Sequence, residues 1–235
     1  MLKDTHVIEF IGLPGSGKTT IANSVIKLLE KEGYNCQSYK QIFDINSLDN
    51  KGKVLISFLV KNLGFIFYMF LYTILSTSIS PAKKKYGLIR LTHLFKLIIL
   101  FEQNTQMMHN NDLVVLDQGI TQCIWSITSM EANANIRVGV LKKSMSFKKN
   151  IFPDVLVYVD VDQVTVLDRL RNRKSKCVFD HLPFDVTCAI FRNQSISYTN
   201  ILNALKQVKN THVLTIQSDA DINASTIKDL TPVLM

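Results

Sequence analysis

Gly12-Leu13-Pro14-Gly15-Ser16-Gly17-Lys18-Thr19 fits the pattern G-x-x-x-x-G-K-[ST] at every specified position, and its reading decides the fold. Glycines let the backbone turn so that successive N–H groups point inward at phosphate oxygens. A helix starting at the end of the loop aims its positive N-terminal end at the same anion. Lys18 supplies a cation for the β- and γ-phosphates, and Thr19 offers a hydroxyl to Mg²⁺. Average residue usage produces the pattern by accident in about one chain in a hundred of this length. The setting reduces that further. A β-rich run, His6–Ile11, stands before the loop, and apolar residues at Ile21, Val25 and Leu28 or Leu29 give helical spacing after it. Gly12, Leu13, Pro14, Gly15, Ser16, Gly17, Lys18, Thr19 and Thr20 are therefore expected to bind ATP or GTP phosphates.

Working outward, Gly33 falls where a glycine ends a helix, and residues 35–40 read as a weak second strand. Residues 54–101 are strongly apolar and helical in pattern. Leu113–Leu116 (LVVL) is an aliphatic run ending at Asp117, as expected for a strand buried on both faces. A helical stretch follows from about Ile120, then a strand over 155–161 and a helix over 163–173. Residues 184–208 read as one long helix or two, 212–216 as a fifth strand and 222–230 as a closing helix. Short aliphatic strands alternating with helices argue for a parallel sheet covered on both faces. The expected architecture is α/β: a three-layer P-loop NTPase fold with a five-stranded parallel sheet. One domain spans 1–235, with a helical apolar insertion at about 50–111, between the second and third strands. In such sheets ligands bind beyond the carboxyl ends of the strands, where Gly12, Asp117 and Asp162 stand.

Composition narrows the function classes. At 47% hydrophobic and 20% charged, the chain of 235 residues can bury a core and is not of disordered type. The formal net charge is +8, and eight basic residues against Glu102 alone between residues 51 and 111 account for nearly all of it. The remainder is close to neutral, so nucleic acid is not an expected partner. Cys36, Cys123, Cys177 and Cys188 are scattered, with no C-x-x-C pair and no histidine at zinc-ligand spacing, and read as buried or idle thiols of a reducing compartment. Asp4, His6 and Glu9 interrupt any leader pattern, and the N-terminus reads as the start of a cytoplasmic domain.

Asp117 is the second anchor. A buried strand projects one carboxylate beside the phosphate loop, where it can hold Mg²⁺ through water or act as a base toward an acceptor hydroxyl. The structural alternative is a strand-end Asp capping the next helix. Trp125 soon after it lines an acceptor cavity or packs in the core.

Phe152-Pro153-Asp154-Val155-Leu156-Val157-Tyr158-Val159-Asp160-Val161-Asp162, with Leu167-Asp168-Arg169-Leu170-Arg171-Asn172-Arg173, resembles the fourth strand and lid start of thymidylate kinases and related nucleoside-phosphate kinases. Val213-Leu214-Thr215-Ile216 with residues 219–227 resembles their last strand and closing helix. Phe191, Arg192 and Tyr198 resemble the helix between. With the phosphate loop and LVVLD, the resemblance covers most of the chain except about 41–111. It implies a lid at about 169–183, over the ATP phosphates, with Arg169, Arg171 and Arg173 stabilising the transferring group and Lys174 and Lys176 behind them. The plainer alternative is a solvated basic helix end. Two departures stand out. Thymidylate kinases follow the third-strand Asp with an Arg that binds the acceptor's phosphate; this chain has Asp117-Gln118-Gly119. Their Arg-Glu-Pro-Gly-like stretch after the second strand is replaced by Tyr39-Lys40-Gln41-Ile42-Phe43-Asp44. The donor side is retained and the acceptor side rebuilt, which speaks against thymidylate as the acceptor.

No charge occurs between Lys61 and Lys83, a run long enough to suggest a membrane span. Lys18 and Asp117 flank it and must meet in one compartment. The only return segment, residues 88–101, is short and contains Arg90, His93 and Lys96, a polar stripe opposite Leu91, Phe95 and Ile98. Three readings stay open: a buried helical pair forming an acceptor pocket, a membrane-surface lobe, and a hairpin through the bilayer.

The expected function is ATP-dependent phosphotransfer, with ATP and Mg²⁺ as cofactors. Lys18, Asp117, Arg169, Arg171 and Arg173 are the candidate catalytic residues, and Thr19 and Asp117 the candidate metal ligands. The acceptor is a small molecule or a lipid-linked compound. The setting is cytoplasmic, with peripheral contact to the inner membrane face through residues 54–101 and a homodimer both left open. The alternative is a nucleotide-dependent switch or weak NTPase whose apolar lobe engages a membrane or partner.

Overall fold

The computed structural model describes residues 6–38, 51–75, 81–108, 113–128, 134–147, 152–172, 184–209 and 211–218. Its centre is a five-stranded sheet of β1 (His6–Ile11), β2 (Cys36–Ser38), β3 (Leu113–Leu116), β4 (Val155–Asp160) and β5 (His212–Gln217), in the order β2-β3-β1-β4-β5. Every pairing is parallel. Register sets Glu9 opposite Leu116 on one side and Leu156 on the other, so β3 ends two residues short of β1 and both run out in the same direction. That brings Gly12 and Asp117 to the same edge of the sheet.

Alternation along each strand splits the core into two. Ile8, Phe10, Val115, Val157 and Val159 face helix α1 (Lys18–Lys31), which seats Ile21, Ala22, Val25 and Leu29 on them. Val7, Ile11, Val114, Leu116, Leu156 and Tyr158 face the opposite layer. That layer is built from α2 (Lys51–Leu75), α3 (Pro81–Met108), α4 (Ile120–Thr128), α5 (Ala134–Phe147), α6 (Gln163–Asn172) and α7 (Phe184–Lys209). Each fully buried Leu, Ile or Phe in these clusters contributes roughly 1.5–3 kcal/mol by leaving water. Both faces of the central strands are thus covered, which is why LVVL carries no alternation.

The sequence boundaries differ from the structure in informative ways. The apolar stretch over 54–101 is two helices, α2 and α3, and the helical stretch after Ile120 is also two, α4 and α5. Residues 184–209 form one helix. The closing helix expected over 222–230, the lid residues 173–183 and the segment 39–44 lie outside the described residues. Among the described residues, no helix is long and apolar enough to cross a membrane. The inner faces of α2 and α3 are sealed by protein instead: Phe65 and Met69 of α2 and Leu91, Leu94, Leu97 and Ile98 of α3 lie in the core.

Only part of the polar stripe expected on α3 faces outward. Lys96 is exposed and His93 is half-buried, with its Nδ1 3.4 Å from the Cys123 sulfur. Arg90 is half-buried and close enough to Lys18 to depress that ammonium's pKa. The reason is packing: α3 rests on α4, so the side chains flanking its apolar face meet α4 and the phosphate loop rather than solvent. Trp125, also on α4, is buried in the core.

Candidate active site

The phosphate loop runs from the end of β1 into α1. Gly15 and Gly17 have φ of 84° and 88°, left-handed values that a side chain would strain, and Gly17 caps α1. Lys18 folds back into the loop: its Nζ donates to the carbonyls of Gly12 at 2.9 Å and Leu13 at 2.8 Å. Burial pushes this ammonium down to about 7, opposed by the Asp117 carboxylate and reinforced by Arg90. An incoming polyphosphate supplies the negative charge that favours the protonated form.

Thr19 and Asp117 meet. The Thr19 hydroxyl donates to Asp117 Oδ2 at 2.7 Å, from residues 98 positions apart in sequence. A hydroxyl beside a carboxylate, both hard oxygens, suits Mg²⁺, which completes its shell with water and phosphate. The pair therefore fits that ion. Among the described residues there is no cluster of three or more His, Cys, Asp or Glu that could hold a metal, and Cys36, Cys123 and Cys188 form no disulfide.

Of the candidate lid arginines, Arg169 lies against the loop, its Nη1 3.5 Å from the Gly15 carbonyl and 3.2 Å from Ser218 Oγ. Arg171 is not brought to the loop. It stands 3.9 Å from Asp168 along its own helix, with its guanidinium 4.9 Å over the Phe184 ring. Arg173 falls outside the described residues. Asp162 caps α6 by accepting the Thr165 N–H at 2.9 Å, a structural task that holds its carboxyl below the usual range. Thr20 is exposed on the first turn of α1, Leu13 and Ser16 are buried, and Pro14 is half-buried.

Three residues of the site were not singled out from the sequence as parts of it. Glu9 sits at the centre of β1, fully buried, and accepts the backbone N–H groups of Gln122 at 2.7 Å and Thr121 at 3.1 Å. It thus holds the N-terminus of α4, the helix that follows Asp117. Gln122 completes the joint by accepting the Gly12 N–H at its Oε1, 3.0 Å away. Arg90 reaches the site from α3. Glu9 had a signal, since an acid inside a strand covered on both faces must find donors. Gln122 and Arg90 had none that spacing could supply.

Burial pushes the Glu9 carboxyl up to about 7, against the lowering effect of the helix N–H groups. A carboxyl raised from about 4.5 on folding stabilises the fold fully below about 4.5, and that contribution fades as pH climbs through about 7. The difference is about 3 kcal/mol. Glu9→Gln has no proton to lose, so its unfolding free energy in urea should decline less than wild type, by about that amount, between pH of about 4.5 and about 8. Parallel pH profiles for the two proteins would count against this reading of Glu9.

No family model matches the chain, and no curated protein matches it in sequence. Solved structures do. A structure of deoxyadenosine kinase from M. mycoides with bound dATP matches with a TM-score of 0.51 at 14% identity, over 97% of this chain and 98% of its own. A structure of the M. mycoides deoxyadenosine kinase with bound dCTP covers the same shares at 15% identity, with a TM-score of 0.48. At such identity the first likeness speaks for the fold alone: the five-stranded parallel sheet and its helices are arranged as in that deoxyadenosine kinase structure.

Proposed function

We propose that the chain is an ATP-dependent phosphotransferase of nucleoside-kinase type, moving the γ-phosphoryl group to a hydroxyl or phosphate of a small-molecule or lipid-linked acceptor. The observation that carries the reading is the Thr19–Asp117 contact at 2.7 Å beside a lysine turned into its phosphate loop. A chance Gly-rich turn has no reason to meet a strand-end carboxylate from the far side of a long insertion. In the proposed step the acceptor oxygen bonds to the γ-phosphorus as the bond to the β,γ-bridging oxygen breaks, and ADP leaves with that oxygen. When the acceptor is a hydroxyl, Asp117 takes its proton. Lys18 and the loop N–H groups hold the donor phosphates, and Arg169 covers them from α6. Arg171 joins only by leaving Asp168 and Phe184, and Arg173 belongs to the same proposed lid. Thr19 and Asp117 would hold Mg²⁺, which neutralises phosphate charge when bound. Arg90 faces the loop from α3, where an anionic acceptor or the transferring group meets it.

The second reading, a switch or weak NTPase, draws on Gln118, which stands exposed where thymidylate kinases have an acceptor-binding Arg. The two separate on acceptor dependence. ADP release should rise about tenfold or more when an acceptor-containing metabolite fraction is added, and Asp117→Asn should remove that rise. ADP release that is the same with and without every fraction tried favours the NTPase.

A further inference from the structure

The outer face of α2 is apolar and, among the described residues, uncovered. Val60, Leu63, Phe67, Phe70, Ile74 and Leu75 are 39–74% exposed, and they recur at helical spacing on one side. With aromatic side chains of about 150–250 Å² each, the face leaves on the order of 500 Å² of apolar surface, the size of the largest patch on a typical monomer, which is often a functional one. The opposite side of the helix is protein-sealed, with Asn62, Phe65, Met69 and Thr73 buried. Phe147 of α5 packs edge-on to Phe65 and tilted against Tyr68. The helix is therefore held flat on the domain with half its circumference presented outward.

Charge says what meets it. Helices α2, α3 and α5 together carry eleven basic residues and one acid, Glu102, in a chain whose whole net charge is +8. Lys61, Lys96, Lys142 and Lys143 are exposed among them. A second copy would bring this basic lobe against itself. An anionic bilayer offers it the opposite charge together with an apolar interior for the stripe, the combination that in-plane helices use.

We propose that the α2 face docks on the surface of an anionic lipid bilayer, with Leu63, Phe67, Phe70 and Ile74 entering the interfacial layer and the surrounding lysines meeting the headgroups. The patch continues onto α3 at Leu88 and Ile89, 38% and 53% exposed, immediately before Arg90. The two helices cross closely there: a β-carbon on Gly87 would stand 3.1 Å from the Thr73 methyl. The docked edge is thus the one nearest the phosphate loop. Nothing in this docking depends on phosphotransfer, and it is read without ATP.

The test is co-sedimentation of the full chain with phosphatidylcholine vesicles containing phosphatidylglycerol, and with phosphatidylcholine alone, at low and high salt. Wild type should partition onto the anionic vesicles about tenfold or more above the neutral ones, and high salt should reduce the difference. The exposed double substitution Phe67→Ser with Phe70→Ser should lower that partition about tenfold again while leaving the melting temperature unchanged. Wild type left in the supernatant with both vesicles overturns the proposal. So does sedimentation of wild type as a dimer in solution that the double substitution dissociates, because a second copy then owns the face.

Discussion

Lys18→Ala is expected to lower phosphoryl transfer about a thousandfold or more, the scale on which removing one preorganised charge from a transition state acts. The melting temperature should stay within a few degrees of wild type. The asymmetry follows from geometry. The Lys18 ammonium bonds the carbonyls of Gly12 and Leu13 within its own loop and holds no other element in place. Burial already works against its charge, so its removal takes away a desolvated cation. Transfer has no such reserve, because the phosphates lose the cation that the loop aims at them. Lys18→Arg should not rescue it, since a planar fork cannot enter a turn closed by two carbonyls at 2.8–2.9 Å. Steady-state ADP release with acceptor, read alongside thermal unfolding, checks both halves. A variant that turns over like wild type removes Lys18 from the mechanism.

The largest stability effect is expected at Gly119. A β-carbon there would stand 2.4 Å from Glu9 Cδ and 2.7 Å from Glu9 Cγ. Flexible side chains usually yield to such a clash, but Glu9 is fully buried and bound to the first N–H groups of α4. Moving it breaks charge-assisted hydrogen bonds of about 1.5–3 kcal/mol each and adds overpacking of about 1–3 kcal/mol. Gly119→Ala should therefore cost about 4 kcal/mol and lower the melting temperature by about 10 °C. A double-mutant cycle isolates the cause. Glu9→Ala should be much less costly in the Gly119→Ala background than in wild type, because there it relieves the clash and gives up hydrogen bonds that the clash has already broken. Additive losses would place the cost of Gly119→Ala elsewhere.

These two positions illustrate what the sequence can and cannot reveal. The phosphate loop is local: its function is written in eight consecutive residues, and Lys18 and Thr19 were legible at once. The sheet was nearly as legible, because strands buried on both faces leave short aliphatic runs such as LVVL, while the similar Leu97-Ile98-Ile99-Leu100 belongs to a longer stretch of helical pattern. Gly119 was visible only as a departure from a family pattern. What makes it necessary is Glu9, 110 residues earlier, and only the parallel register of β1 with β3 brings the two together. Arg90 was read as part of a polar stripe, with no link to the phosphate loop, for the same kind of reason: helical periodicity fixes which residues share a face, not what that face meets. Arg169 and Arg171 were indistinguishable in sequence, and α6 directs one to the loop and the other to Asp168 and Phe184.

The central claim is that the γ-phosphoryl group leaves ATP for an acceptor other than water. Incubating wild-type protein with γ-labelled ATP, Mg²⁺ and, separately, an aqueous metabolite extract and a lipid extract tests it directly. The predicted result is label on an organic species in one extract, absent with Lys18→Ala, and the extract that contains it identifies the acceptor's class. Label recovered only as free phosphate from both extracts would contradict the claim and make the protein an NTPase.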